Sequence, residues 1–244
     1  MSFIPRIYLD PHEFEALASN KDYAIPASTA HYLGTVLRLK ASEKVVFFNE
    51  RDGEWECEIS YIAKNKGTIQ TTKQLRLSIT PLGPTLVFAP LKRDATDLAI
   101  RMATELGVKT IQPVKTLRTN TVKIKEERFR SITIEAAEQS NRLTIPEIKP
   151  IVSLFDFCSS WPKDKTLWIA VERCAEYHIE PNSTEKCRGD DGILIGPEGG
   201  FDSSEIKNLL LYDFVRPLSL GNLILKAETA IVAGLSLFSQ HVRA

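Results

Sequence analysis

Two stretches of this chain concentrate the residue types that hold a small ligand. In Ile193-Leu194-Ile195-Gly196-Pro197-Glu198-Gly199-Gly200-Phe201 an apolar run enters a glycine-rich turn, and Asp202 follows as a helix cap. Glycine lets main-chain N–H and C=O groups approach a ligand closely, and open α/β sheets bind ligands at the carboxyl ends of their strands. The G-P-E-G-G spacing is not the dinucleotide G-x-G-x-x-G, and no Walker lysine follows it. Alone, the turn is as readily structural as ligand-binding. A second loop, Pro217-Leu218-Ser219-Leu220-Gly221-Asn222-Leu223-Ile224-Leu225-Lys226, shifts the balance. Its apolar side chains, single glycine and exposed main chain suit an adenine held by hydrophobic contacts and main-chain hydrogen bonds.

A third candidate is the pair Glu138 and Arg142, four residues apart in an expected helix over Glu126–Leu143. Such a pair is either a surface ion pair worth a few tenths of a kcal/mol or a carboxylate and a cation serving a reaction. Metal chemistry has no comparable signal. His12, His31, His178 and His241 show no ligand spacing, and Cys57, Cys158, Cys174 and Cys187 form no C-x-x-C pair, so they read as reduced thiols. The net charge is zero, but residues 74–150 carry +5 against −1 before and −4 after. Within that segment Lys109, Lys115, Arg118, Lys123, Lys125, Arg128 and Arg130 meet only Glu126 and Glu127. The cluster is a solvated face or a patch for nucleic acid; a neutral total argues against a wrapped groove.

The elements that must position these residues fall into two parts. Residues 1–73 read as a small β unit. Arg6–Leu9, Lys44–Asn49, Glu54–Ile62 and Lys66–Thr72 are strands, Arg51-Asp52-Gly53 is a turn, and Ser28 caps a helix through Leu37. From residue 74 to 244 strands and helices alternate, which predicts a parallel α/β sheet. Strands are expected at Thr85–Phe88, Lys109–Val114, Leu167–Val171, Gly192–Ile195 and Val215–Leu218. Helices are expected at Asp94–Leu106, Glu126–Leu143, Ser203–Leu211 and Lys226–Val242. Pro81-Leu82-Gly83-Pro84 marks the junction, and polar Glu172–Asp191 a long loop. The final helix is apolar around most of its circumference, with small Ala227, Ala230, Ala233 and Gly234 beside Ile231, Leu235, Leu237 and Phe238. Core packing and a dimer seam both account for that. No stretch approaches the roughly 20 apolar residues of a membrane span, and the start has no signal-peptide pattern.

Taken together, the motifs resemble the RsmE family of SPOUT methyltransferases. The resemblance rests on Ile195–Phe201, on Leu220-Gly221 with Ile224-Leu225 and Glu228-Thr229-Ala230, and on Ala103-Thr104-Glu105-Leu106-Gly107-Val108. Glu127-Arg128-Phe129, Glu135-Ala136-Ala137-Glu138-Gln139-Ser140-Asn141-Arg142 and Pro146 continue it, as do His31-Tyr32 and Val36-Leu37-Arg38. These motifs follow the family's order along almost the whole chain. The sequence departs from the family pattern at Leu223 and Lys226, where arginine is usual, so the loop carries one positive charge fewer. Lys226 keeps its charge without the bidentate fork.

The resemblance implies a PUA-like RNA-binding barrel over residues 1–73, then a SPOUT domain over 74–244 with a parallel sheet and a C-terminal trefoil knot. It implies S-adenosylmethionine-dependent methylation of N3 of a uridine in 16S ribosomal RNA, by a cytoplasmic homodimer acting on the small subunit, without metal or membrane. Cofactor contacts are expected from Ala89, Gly196, Pro197, Glu198, Gly199, Gly200, Leu218, Leu220, Gly221, Ile224 and Leu225. Arg142 is expected to stabilise the uracil or a neighbouring phosphate, and Glu138 to orient it or accept the proton; Glu198 could contact base or cofactor, or merely hold the turn. Arg6, Arg38, Lys92 and Arg118 are candidate phosphate contacts, with solvated surface charge as the competing reading.

Overall fold

The computed structural model describes residues 4–120, 124–171 and 187–239. Cys174, His178, His241 and Lys123, residues 172–186 of the expected polar loop, and the expected helix beyond Ser239 lie outside the described residues. The chain forms two compact units: Met1–Pro81 with Ala137–Thr144, and Leu82–Ala136 with Ile145–Ala244.

In the first unit, strands β1 (Arg6–Tyr8), β2 (Asp22–Ala24), β3 (Lys44–Asn49), β4 (Gly53–Ala63) and β5 (Lys66–Arg76) form one sheet in the order β1-β3-β4-β5-β2. The pairing is antiparallel except for β1 with β3. Alternating residues of these strands, among them Ile7, Val45, Phe47, Cys57, Ile59 and Ile69, make a buried core. Gly53 carries the β3–β4 turn at φ +76°, and a Cβ there would stand 2.2 Å from the Arg76 carbonyl oxygen. Only glycine suits both demands.

The expected Ser28 cap is not formed. Helix α1 (Ala27–His31) starts on Pro26, whose φ of −54° already suits a helix start and whose carbonyl accepts the Ala30 N–H at 2.9 Å. Ser28 therefore lies inside the first turn. The chain then widens into a π-type turn over Tyr32–Val36. Gly34 lets that turn rest on β4: a Cβ there would lie 2.9 Å from Ile62 Cγ1.

The second unit is built on a parallel sheet. Its described strands are β6 (Thr85–Phe88), β7 (Thr110–Lys115), β8 (Glu147–Ile148), β9 (Val152–Ser153), β10 (Leu167–Ala170), β11 (Gly192–Ile195) and β12 (Val215–Leu218). The order is β12-β10-β11-β6-β7-β8, with β9 pairing onto β7, and every pairing is parallel. The connecting helices are α2 (Arg93–Glu105), α3 (Glu126–Gln139), α4 (Leu154–Ser160), α5 (Ser203–Leu209) and α6 (Ala227–Ser239). One sheet face packs on α2 and α6 through Leu86, Phe88, Ile100, Ile193, Ile231 and Leu235; the other packs on α4 and α5 through Val87, Leu154, Phe157, Leu194, Ile206 and Leu209. Strands buried on both faces read as continuous apolar runs, which is why β6 and β11 were legible from sequence.

Helix α3 stops at Gln139, four residues short of the expected Leu143. Asn141 adopts φ +62°, a left-handed conformation that asparagine tolerates and that ends helices. Arg6, with a side chain 13% exposed, supplies donors to the carbonyls released there. It gives hydrogen bonds to Ala137 O at 2.7 Å and Arg142 O at 2.6 Å, while its Nε bonds Glu54 at 2.6 Å. Arg76 holds the same Glu54 carboxylate at 2.6 and 2.8 Å and donates to Asn141 O at 3.0 Å.

Candidate active site

The chain builds β6, β7 and β8 to one side and then β10, β11 and β12 to the other, so the direction of winding reverses between β6 and β11. Loops diverge at such a point and leave a crevice at the strands' carboxyl ends. The Gly196–Gly200 turn leaves β11 there. Beside it, fully buried Ala89 follows β6 and donates its N–H to Ile195 O at 3.1 Å.

The turn is held from several sides. Gly200 takes φ +66° and donates its N–H to Pro197 O at 2.8 Å. Glu198 reaches back to the segment after β6, accepting the Lys92 N–H at 3.1 Å. Arg118, in the segment after β7, donates to Gly199 O at 3.0 Å and to Asp202 at 3.0 Å. Asp202 and Glu205 form a reciprocal capping box at the start of α5. Hydrogen bonds from Ser204, with Arg118 adding to them, hold the Asp202 carboxyl below its ordinary range.

The glycines leave room for a ligand. A Cβ at Gly200 or Gly221 would meet nothing within 4 Å, and one at Gly199 would meet only Arg118 carbons, at 3.7 and 3.9 Å. The loop after β12 joins the turn through the core: Leu218, Leu220 and Leu225 pack into the apolar cluster that contains Ile193 and Ile195. Ile224 and Leu223 stay 62% and 81% exposed, apolar surface available for contact. Flexible glycine backbone and an apolar loop at the switch point fit a nucleoside-type ligand.

A sequence model of the RNA methyltransferase domain matches residues 79–239, and a model of the RNA methyltransferase PUA domain matches 25–72. The ribosomal RNA small subunit methyltransferase E of Rickettsia conorii is 35% identical over 95% of this chain and 93% of its own length. The protein of the same name from Buchnera aphidicola of Acyrthosiphon pisum is 31% identical over 96% and 92%. The chain belongs to this methyltransferase E family, RsmE. Among solved structures, the Neisseria gonorrhoeae member bound to S-adenosyl methionine superposes with a TM-score of 0.84 at 26% identity, covering 98% of both chains. A Legionella pneumophila putative methyltransferase in complex with the same cofactor gives 0.80 at 25%, again over 98% of both.

Arg142 stands beyond the end of α3, so the four-residue spacing from Glu138 is not a helical one, and the shared face expected from sequence does not apply. Both residues belong to the first unit. Glu138 accepts the Tyr8 N–H at 3.0 Å, and Arg142 Nε donates to Thr144 at 2.9 Å. Burial lowers the Arg142 guanidinium to about 10, with Glu50 opposing the shift. Arg38 is exposed and sits at φ +59° just after the π-type turn. Lys92 is exposed as well. Arg6 is committed to Glu54 and the end of α3, and Arg118 to the glycine turn. Sequence reading missed Glu205, which is 2% exposed and accepts the Leu117 N–H at 2.8 Å and the Asp202 N–H at 2.9 Å. Its signal was present: Asp202-Ser203-Ser204-Glu205 has capping-box spacing. Among the described residues no group of three or more His, Cys, Asp or Glu could hold a metal, and no helix is long and apolar enough to cross a membrane.

Proposed function

We propose that the chain transfers the methyl group of S-adenosylmethionine to N3 of a uridine in 16S ribosomal RNA, acting on the small subunit in the cytoplasm as a homodimer. The observation that carries the proposal is the open glycine turn at the switch point of a chain that matches RNA methyltransferase models in both of its parts. Residues 1–73 would be the PUA-like unit that holds RNA, and 74–244 a SPOUT domain with a C-terminal trefoil knot.

The residues fit the cofactor. The turn Gly196–Gly200 and the loop Leu218–Leu225 would hold it, with Ala89 closing the side along β6. A sulfonium methyl is electrophilic when bound and supplies the transferable group without a metal. The protein must then hold N3 in line with that group, a task of orientation. Uracil N3 becomes nucleophilic as its proton leaves, and the negative charge spreads to O2 and O4. A cation in poorly solvated surroundings stabilises such an anion more strongly than one in water. Arg142 suits that requirement: it is half-buried, and with a value of about 10 it stays charged at neutral pH. Glu138, its side chain fixed by the Tyr8 amide, would orient Arg142 or take the proton. Exposed Arg38 and Lys92 would neutralise phosphates, which positions RNA without reading its sequence.

Nucleoside mass spectrometry of 16S rRNA from a strain lacking the gene tests the proposal. Loss of N3-methyluridine, restored by the wild-type gene, is expected; an unchanged level refutes it.

A further inference from the structure

The peptide joining Gly199 to Gly200 is anchored at both ends. Its carbonyl accepts from Arg118 at 3.0 Å, and its N–H donates to Pro197 O at 2.8 Å. The Arg118 guanidinium also bonds Asp202, the cap of α5, at 3.0 Å. Arg118 comes from a segment 81 residues away in sequence, so something must fix that segment. Glu205 does so from within the core, one oxygen on the Leu117 N–H and the other on the Asp202 N–H. Thr116 and Thr119 close the segment on itself, with the Thr116 N–H donating to the Thr119 hydroxyl at 2.9 Å. A buried carboxylate and a two-pronged cation thus tie the end of β7 to the glycine turn after β11.

We propose that Arg118 is a positioning residue for the cofactor turn, with Glu205 as its buried tether, and that it is not a phosphate contact. The inference rests on the reading that the glycine turn binds S-adenosylmethionine. Two adjacent glycines would sample many backbone conformations in the free protein; holding their shared peptide removes that freedom before the ligand arrives, which strengthens binding. The guanidinium suits the task because its planar fork spans two acceptors at fixed geometry, which an ammonium does not.

The test measures S-adenosylmethionine affinity by calorimetry without RNA, and the KM for small subunits separately. Arg118 is half exposed, so Arg118→Ala should fold normally. Its cofactor Kd should rise about tenfold, the scale of one lost charge-assisted contact, with the KM for RNA little changed. Arg118→Lys should fail to restore the Kd. Glu205→Gln, which keeps an acceptor for Leu117 but none for Asp202, should weaken the cofactor in the same direction. A normal cofactor Kd in Arg118→Ala with a raised KM for RNA, rescued by lysine, would overturn the proposal in favour of a phosphate contact. Gly199→Val separates the two levels. If it leaves cofactor binding intact, the site reading fails; if it abolishes binding while Arg118→Ala does not weaken it, only the tether proposal fails.

Discussion

Arg142 is half-buried, enough to lower its guanidinium, and this separates its cost to stability from the role proposed for it in catalysis. Burial lowers its folded value to about 10, below the ordinary guanidinium range, so burying the charge costs stability at every pH below about 10, and that cost fades as pH rises beyond it. Arg142→Met should therefore change the thermal midpoint little at pH 7. Its kcat should fall by about a hundredfold or more, the scale of losing one preorganised electrostatic contact. A large stability loss with proportionate activity would mark Arg142 as structural. Gly199 gives the converse case: the added methyl of Gly199→Ala has ordinary space in the free protein, 3.7 Å from Arg118 Cδ. The variant should fold like wild type by circular dichroism and bind S-adenosylmethionine more weakly by calorimetry; unchanged affinity would move the ligand away from this peptide. The glycine turn was legible in sequence because its residues are contiguous. The Arg118–Gly199 bond was not, because only the sheet order brings β7 and β11 near each other, and nothing local in either segment encodes that order.

At the scale of elements, one buried carboxylate governs the end of α3. Burial alone would raise the Glu54 carboxyl, but hydrogen bonds from Arg76 and Arg6 bring it below its ordinary 4.5. A carboxylate with a depressed folded value stabilises the fold above its unfolded value and loses that contribution as pH falls through the folded one. The first unit should therefore lose stability below about pH 4.5. Glu54→Gln should be less stable at pH 7 and show a flatter acid dependence in thermal melts; parallel profiles for the two proteins would exclude this role. Strands such as β3, β6, β11 and β12 were read from sequence with their observed bounds, since each is a short apolar or alternating run. Strands β2, β8 and β9 have two or three residues, too few for any periodicity to register. The helix ending at Gln139 was overextended because Phe129, Ile132 and Ala136 set a period that Ser140 and Leu143 happen to continue. Asn141 at positive φ overrides it.

For the whole molecule, α6 bears on the proposed homodimer. Ala230, Ile231, Leu235 and Phe238 are buried within their own unit, which accounts for much of the apolar circumference noticed in the sequence. Val232, Ala233, Ser236 and Leu237 stay half-buried on a remaining stripe that a second copy could cover. Leu237→Lys should yield a folded monomer in light scattering if that stripe is the seam; a persisting dimer would place the seam elsewhere. The parallel sheet and its helices followed from strand–helix alternation, whereas the proposed knot would lie beyond any periodic signal, since a knot is a property of how a chain threads. Methyl transfer to uridine N3 can be followed in a single reaction. Small subunits from cells lacking the gene are incubated with the purified protein and S-adenosylmethionine, and the 16S rRNA is digested to nucleosides for mass spectrometry. N3-methyluridine is expected at close to one per subunit, and none with the Arg142→Met variant; no RNA methylation, or a methyl group on any other nucleoside position, would refute the proposed reaction.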